Sequence, residues 1–164
     1  MGSTADLVAN NAAYARGFAS EALPMPPAKG VAVLACMDAR LDPARLLGLD
    51  LGDAHVIRNA GGVATDDAIR SLVISQRLQG TNEIILIHHT DCGMETFRDD
   101  ELKDQIFADT GVRPGFAMEA FEAVEDDVRQ TAERIKASPF LPHKSIRGFV
   151  FDVHTGQLDE VSLD

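Results

Sequence analysis

Two apolar runs in this chain end in residues that bind metals and move protons. VAVLA (31–35) runs into Cys36, with Asp38 and Arg40 at the next alternate positions, and EIILI (83–87) runs into His88 and His89, with Cys92 three residues further on. An imidazole and a thiolate three residues apart can converge on one ion where the chain turns. Cys36 adds a third donor if the two runs are neighbours in space. Two sulfurs and one nitrogen make a soft set suited to zinc. Only three protein ligands are evident, and an open fourth position marks a catalytic rather than a structural site. Singly, a free cysteine is often just a small buried hydrophobe and a strand histidine a packed core residue. Their meeting at matching strand ends is what favours a metal.

Adjacent strand residues point to opposite faces, so only one of His88 and His89 can face the ion. The spacing from Cys92 selects His89 and leaves His88 to packing or hydrogen bonding. On an extended segment residues 36, 38 and 40 share a face, which sets Asp38 and Arg40 beside Cys36 as a pair. A carboxylate against a guanidinium stays ionised and fixed in orientation. Asp38 can then accept a proton from a zinc-bound water, orient that water, or ligate zinc itself when Arg40 lets go. Without the cysteine the pair would read as a structural salt bridge. Zinc lowers the pKa of a bound water from about 15.7 to about 7 in favourable sites. Two thiolates weaken that effect, so a neighbouring acceptor is useful, and the resulting nucleophile suits a small electrophile.

These groups need a scaffold that brings strand ends together. The predicted elements are a helix over 5–19, an extended linker at PMPP (24–27), a strand over 31–36, and a short helix over 42–49 with Asp42 as N-cap and Pro43 in its first turn. A strand over 54–62 enters a glycine turn. Thr65 then caps a helix that opens on Asp66 and Asp67, buries Ile69, Leu72, Val73 and Leu78, and stops at Gly80. A strand over 83–89 and a helix over 99–109 ended by Gly111 follow. Phe121, Val124, Val128 and Ile135 recur at helical spacing from Met118 onward, with Pro139 beyond the end. SIRGFVFDV and QLDEVSL flank HTG as a closing hairpin. The expected fold is α/β: a mostly parallel central sheet of four strands, an antiparallel C-terminal edge strand, helices on both faces, and an N-terminal helical arm. Ligands of such sheets bind outside the carboxyl ends of the strands, where both clusters lie.

At 164 residues the sequence is expected to form one domain over 1–164, with 1–27 as arm and linker. A net charge of -11 with scattered Lys and Arg argues against nucleic acid. No apolar run approaches the roughly 18 residues of a membrane span. MGSTADLVANN lacks a secretory pattern, and Asp6 stands where a myristoylation signal needs Ser or Thr, so a cytoplasmic location is expected. There the two cysteines are expected free, metal-bound or catalytic rather than disulfide-bonded.

ACMDARLDP, HVIRNAGG and HTDCG, in this order and at these separations, resemble the β-class carbonic anhydrases, most closely their short bacterial members. The similarity runs from about Met25 to the final hairpin. It implies one zinc per subunit on Cys36, His89 and Cys92, an Asp38–Arg40 catalytic dyad, and reversible hydration of carbon dioxide to bicarbonate and a proton. It further implies that the Gly93 N–H binds substrate oxygen and that the 59–62 turn, Gly61 included, lines the site. The family's dimers or higher assemblies imply an N-terminal helix embracing a partner. Ala39 replaces a common Ser that carries no chemistry. One subgroup uses a tryptophan in a bicarbonate pocket that favours zinc closed by the Asp; this chain has none, so the open, water-bound form is expected near neutral pH. Carbonyl sulfide or carbon disulfide hydrolysis on the same scaffold is the alternative chemistry. A non-catalytic zinc-stabilised binding or regulatory protein is the alternative class, and the wide separation of the cysteines disfavours a thiol redox protein.

Overall fold

The computed structural model describes residues 3–18 and 23–164. After a short N-terminal pair of helices, α1 (Thr4–Ala9) and α2 (Asn11–Gly17), the chain alternates strands and helices: β1 (Val31–Cys36), α3 (Pro43–Leu47), β2 (Ala54–Asn59), α4 (Asp66–Gln79), β3 (Glu83–His89), α5 (Asp99–Thr110), α6 (Val124–Ala137), β4 (Ser145–Phe151) and β5 (Leu158–Val161). The strands form one sheet in the order β2-β1-β3-β4-β5. The first four are mutually parallel and β5 closes the edge antiparallel to β4, as expected from the closing hairpin.

The apolar alternation of the central strands divides the core. Ala32 and Leu34 of β1 and Ile84 and Leu86 of β3 pack with Leu72 of α4 and Ala132 and Ile135 of α6. Val33, Ala35 and Ile87 face the other way, toward Leu41, Met94 and the partly buried Leu46 and Leu47 of α3. Helices thus cover both faces unevenly, the two long ones sharing one side. Each fully buried Leu or Ile contributes about 1.5–3 kcal/mol of transfer free energy. The α6–β4 approach is close enough that a Cβ on Gly148 would collide with Val128.

Helix ends follow their caps. Asp42 Oδ1 accepts from the Arg45 N–H, Thr65 Oγ1 from the Ala68 N–H, and Gly48, Gly80 and Gly111 take left-handed conformations past α3, α4 and α5.

Three expectations are corrected. The N-terminal helix is broken at Asn10 into α1 and α2, which bury no residue; Ala19, the end of the expected span, falls outside the described residues, as do 1–2 and 20–22 of the arm and linker. Leu78 is 69% exposed, and Ala68, Ser75 and Gln76 take the buried positions of α4 beside Leu72. Residues 118–123 are not helical: the Asp99 carboxylate accepts the N–H groups of Met118, Glu119 and Ala120 at 2.8, 3.3 and 2.9 Å. Glu119 sits at φ +62°, so α6 starts only at Val124.

Candidate metal centre

β1 and β3 are adjacent and parallel, with Ala35 opposite Ile87, so Cys36 and His89 leave the sheet at the same edge. Cys92 returns to them across a tight turn in which Asp91 takes φ +55°, a conformation Asp tolerates better than most residues. The ligand atoms of Cys36, His89 and Cys92 all lie within 4.8 Å of one another, and all three residues are buried. His89 Nε2 is 3.2 Å from Cys36 Sγ. On its other side Nδ1 is 2.9 Å from the Thr90 carbonyl, which only accepts, so Nδ1 carries the hydrogen and Nε2 offers its lone pair to the sulfurs.

The electrostatics of the cluster suit a cation. A hydrogen bond from the Cys92 thiol outweighs burial and brings Cys36 down to about 4, helped by the N–H groups of Asp38 and Gly61. Cys92 is pushed up, because it donates to Cys36 and is itself buried. Two buried sulfurs this close carry two negative charges only when a cation compensates them. Burial opposes the charged form of His89, yet the Cys36 sulfur and the Thr90 carbonyl raise its pKa overall. The soft donors, the fixed tautomer and the paired thiols fit zinc.

The dyad is built differently from the expected shared strand face. β1 ends at Cys36, and residues 39–40 turn. Asp38 Oδ1 accepts the Arg40 backbone N–H at 2.8 Å, a side-chain turn that competes with continued extension. Arg40 then grips both carboxylate oxygens, Nε to Oδ1 at 3.0 Å and Nη2 to Oδ2 at 2.8 Å. These contacts, the side-chain bonds first, hold the Asp38 carboxyl well below the usual carboxylate range. Asp38 Oδ2 is 3.6 Å from His89 Nε2, so the carboxylate borders the three ligands.

Two residues of this assembly were not found from sequence. Asp91 receives Arg40 Nη1 on Oδ2 at 2.7 Å and Nη2 on its carbonyl at 2.9 Å, tying the 36–40 turn to the 89–92 turn. Arg58 donates to the Cys36 carbonyl at 3.0 Å and to the Asp38 carbonyl at 2.7 Å. Both lie inside the quoted motifs, Asp91 in HTDC and Arg58 in HVIRN, but their partners depend on turns that no periodicity encodes.

A cavity of about 150 Å³ opens on this cluster, lined by Cys36, Asp38, His89, Cys92, Gly61 and Gly93 with Met37, Ala60 and Met94 completing its apolar walls. Gly93 heads a short 3-10 turn, Gly93–Glu95. Gly61 and Gly62 have φ +83° and +77°, and a Cβ on Gly62 would lie 2.8 Å from the Cys36 nitrogen. The turn therefore needs glycine for both conformation and close approach. Arg40 is not in the wall; its side chain binds Asp38, which is, and Asp91. His88 faces away from the cluster, as strand alternation requires, and its Nε2 lies 3.1 Å from the Gly62 carbonyl.

Comparison with known proteins decides the family. The carbonic anhydrase family pattern matches residues 31–158. Over 160 residues the chain is 59% identical to β-carbonic anhydrase 1 of Mycobacterium tuberculosis, covering 97% of this chain and 98% of that protein. This chain belongs to the β-carbonic anhydrase family. The crystal structure of a carbonic anhydrase from Streptococcus mutans superposes on it with a TM-score of 0.92 at 43% identity, covering 99% of both chains. A carbon disulfide hydrolase of Acidithiobacillus thiooxidans is 36% identical over 148 residues, covering 77% of this chain and 74% of that protein. Among the described residues, no helix of this family member is long and apolar enough to cross a membrane.

Proposed function

We propose that the protein catalyses the reversible hydration of carbon dioxide to bicarbonate and a proton, with one zinc per subunit held by Cys36, His89 and Cys92. The observation that carries this reading is the meeting of three buried soft donor atoms within 4.8 Å of one another, at the floor of a cavity that Asp38 also lines. Zinc, when bound, supplies the Lewis acidity that makes a water nucleophilic near neutral pH. Asp38 stays ionised, and a carboxylate this acidic is a poor base but a good fixed acceptor. It therefore orients the attacking water through a hydrogen bond, and the released proton passes to solvent. Arg40 occupies both Asp38 oxygens, which favours the open site over ligation by Asp38. Met37, Ala60 and Met94 give a small molecule an apolar wall, and Gly93 and Gly61, which line the same cavity, support the reading that the Gly93 N–H binds a substrate oxygen.

The same reading takes 1–164 as one domain whose first 27 residues are an arm and linker. Leu7, Val8 and Tyr14 of the arm are 66%, 68% and 60% exposed, and α1 and α2 bury nothing, which supports a homodimer or larger homo-oligomer that covers them. Two free, buried cysteines suit a cytoplasmic location.

Carbon disulfide or carbonyl sulfide hydrolysis is the second reading, supported by the 36% identical hydrolase. The 59% identity and near-complete coverage favour carbon dioxide. Assaying zinc-loaded protein with carbon dioxide, carbonyl sulfide and carbon disulfide separates the two. Fast turnover of carbon dioxide supports the proposal, and turnover confined to the sulfur substrates overturns it. A non-catalytic zinc protein would show turnover of none.

A further inference from the structure

The proposed reaction makes no direct use of His88 and Asp127, although both are buried, at 0% and 6% exposure. His88 lies on β3 beside the ligand His89 but on the opposite face, and Asp127 lies in the first turn of α6. Nδ1 of His88 is 3.2 Å from Oδ2 of Asp127, a close approach without hydrogen-bond alignment, and neither atom has a hydrogen-bond partner among the described residues. At the other end of the ring Nε2 faces the Gly62 carbonyl at 3.1 Å, which only accepts, so Nε2 carries the hydrogen. The ring is clamped in this orientation: Phe121 stacks on it with centroids 6.1 Å apart, and its Cδ2 lies 3.2 Å from where a Gly62 Cβ would stand.

We infer that His88 and Asp127 are positioning residues for the reaction: Asp127 orients the imidazole, His88 Nε2–H holds the Gly62 carbonyl, and the 60–62 turn is thereby fixed as the cavity wall against Cys36. The Gly61 N–H beside the Cys36 sulfur and the Gly61 contribution to the cavity both depend on that turn. A line of contacts thus runs from α6, through the sheet, to the face where substrate binds. The inference rests on the hydratase reading for its kinetic arm alone.

The test compares His88→Phe, which keeps the ring shape and loses the donor, with His88→Gln, whose side-chain N–H reaches the same distance along the residue. Zinc content, carbon dioxide hydration and the Gly61 and Gly62 amide resonances are measured on the zinc-loaded, isotope-labelled protein beside the wild type. The expected result for His88→Phe is a fall in kcat/KM of about 10-fold or more with zinc retained, the size seen when supporting groups of metal sites are removed. Its two glycine amide signals should shift, and His88→Gln should restore both rate and signals to within about 3-fold and near the wild-type positions. Asp127→Asn, which keeps a polar side chain of the same shape beside Nδ1, against Asp127→Leu gives the same contrast should His88→Phe fail to fold. His88→Phe with wild-type kinetics and signals, or His88→Gln and Asp127→Asn no better than their apolar counterparts, overturns the inference. A wild type that does not hydrate carbon dioxide defeats the hydratase reading instead, and the amide signals still decide this one.

Discussion

The two turns that meet at the cluster are built on different principles. The 89–92 turn supplies two donors, His89 and Cys92, and gets them there by backbone alone, through the left-handed Asp91. The 36–40 turn supplies one donor and the carboxylate, and is shaped by a side chain, Asp38, that folds the chain back onto Arg40. One turn is a ligand holder; the other couples ligand to acceptor. The Arg40–Asp91 contacts make them one unit. The difference implies that ligand changes should remove the metal, while changes in the dyad should leave metal in place and remove rate.

Substitution tests can break that division. His89→Ala should abolish stoichiometric zinc and cut carbon dioxide hydration by on the order of 10³-fold, because a three-ligand site cannot lose one donor; metal analysis with stopped-flow kinetics reads both. Asp38→Asn should keep zinc and lose about 10²-fold in rate, the scale of a positioned hydrogen-bonding group in an active site. A variant that loses zinc as well would place Asp38 with the ligands. Arg40→Ala should cost about 10-fold through misorientation of Asp38, with zinc content unchanged. The smallest effect belongs to Asp91→Asn: its contact with Arg40 is exposed, so a change within about 1 kcal/mol in stability and a few-fold in rate is expected from thermal melting and kinetics.

A pH profile sharpens the same comparison. Arg40 lowers the folded-state pKa of Asp38, so the stabilisation from this pair is complete above the ordinary carboxylate pKa and is lost only as pH falls through the lower folded value. Between about pH 5 and 9 neither stability nor rate should show an inflection from Asp38 in the wild type. In Arg40→Ala the carboxyl loses its main partner, and an acid limb should move toward neutral pH.

Much of this arrangement is legible in the sequence, for identifiable reasons. The buried strands 31–36 and 83–89 show as apolar runs, and caps such as Asp42 and Thr65 mark helix starts, so the parallel sheet and its shared edge follow. Strand alternation together with the spacing from Cys92 separates His89 from His88. What escaped was non-local or turn-dependent. Asp99 reaches some twenty residues along the chain to capture three N–H groups and delay α6, and nothing at 118–123 announces it. Leu78 stands off the face that Ala68, Leu72, Ser75 and Gln76 bury, on the exposed side of α4 with Ile74. Alternation put Asp38 and Arg40 in the right company for the wrong reason, since a turn rather than a strand face joins them.

The central claim is that Cys36, His89 and Cys92 form a zinc site that turns over carbon dioxide. Its most direct test is stopped-flow hydration of carbon dioxide by the protein as purified, after chelation, and after reloading with one equivalent of zinc. The account predicts rapid hydration that disappears on chelation and returns in proportion to the zinc bound. Hydration at the same rate by protein stripped of metal would contradict it.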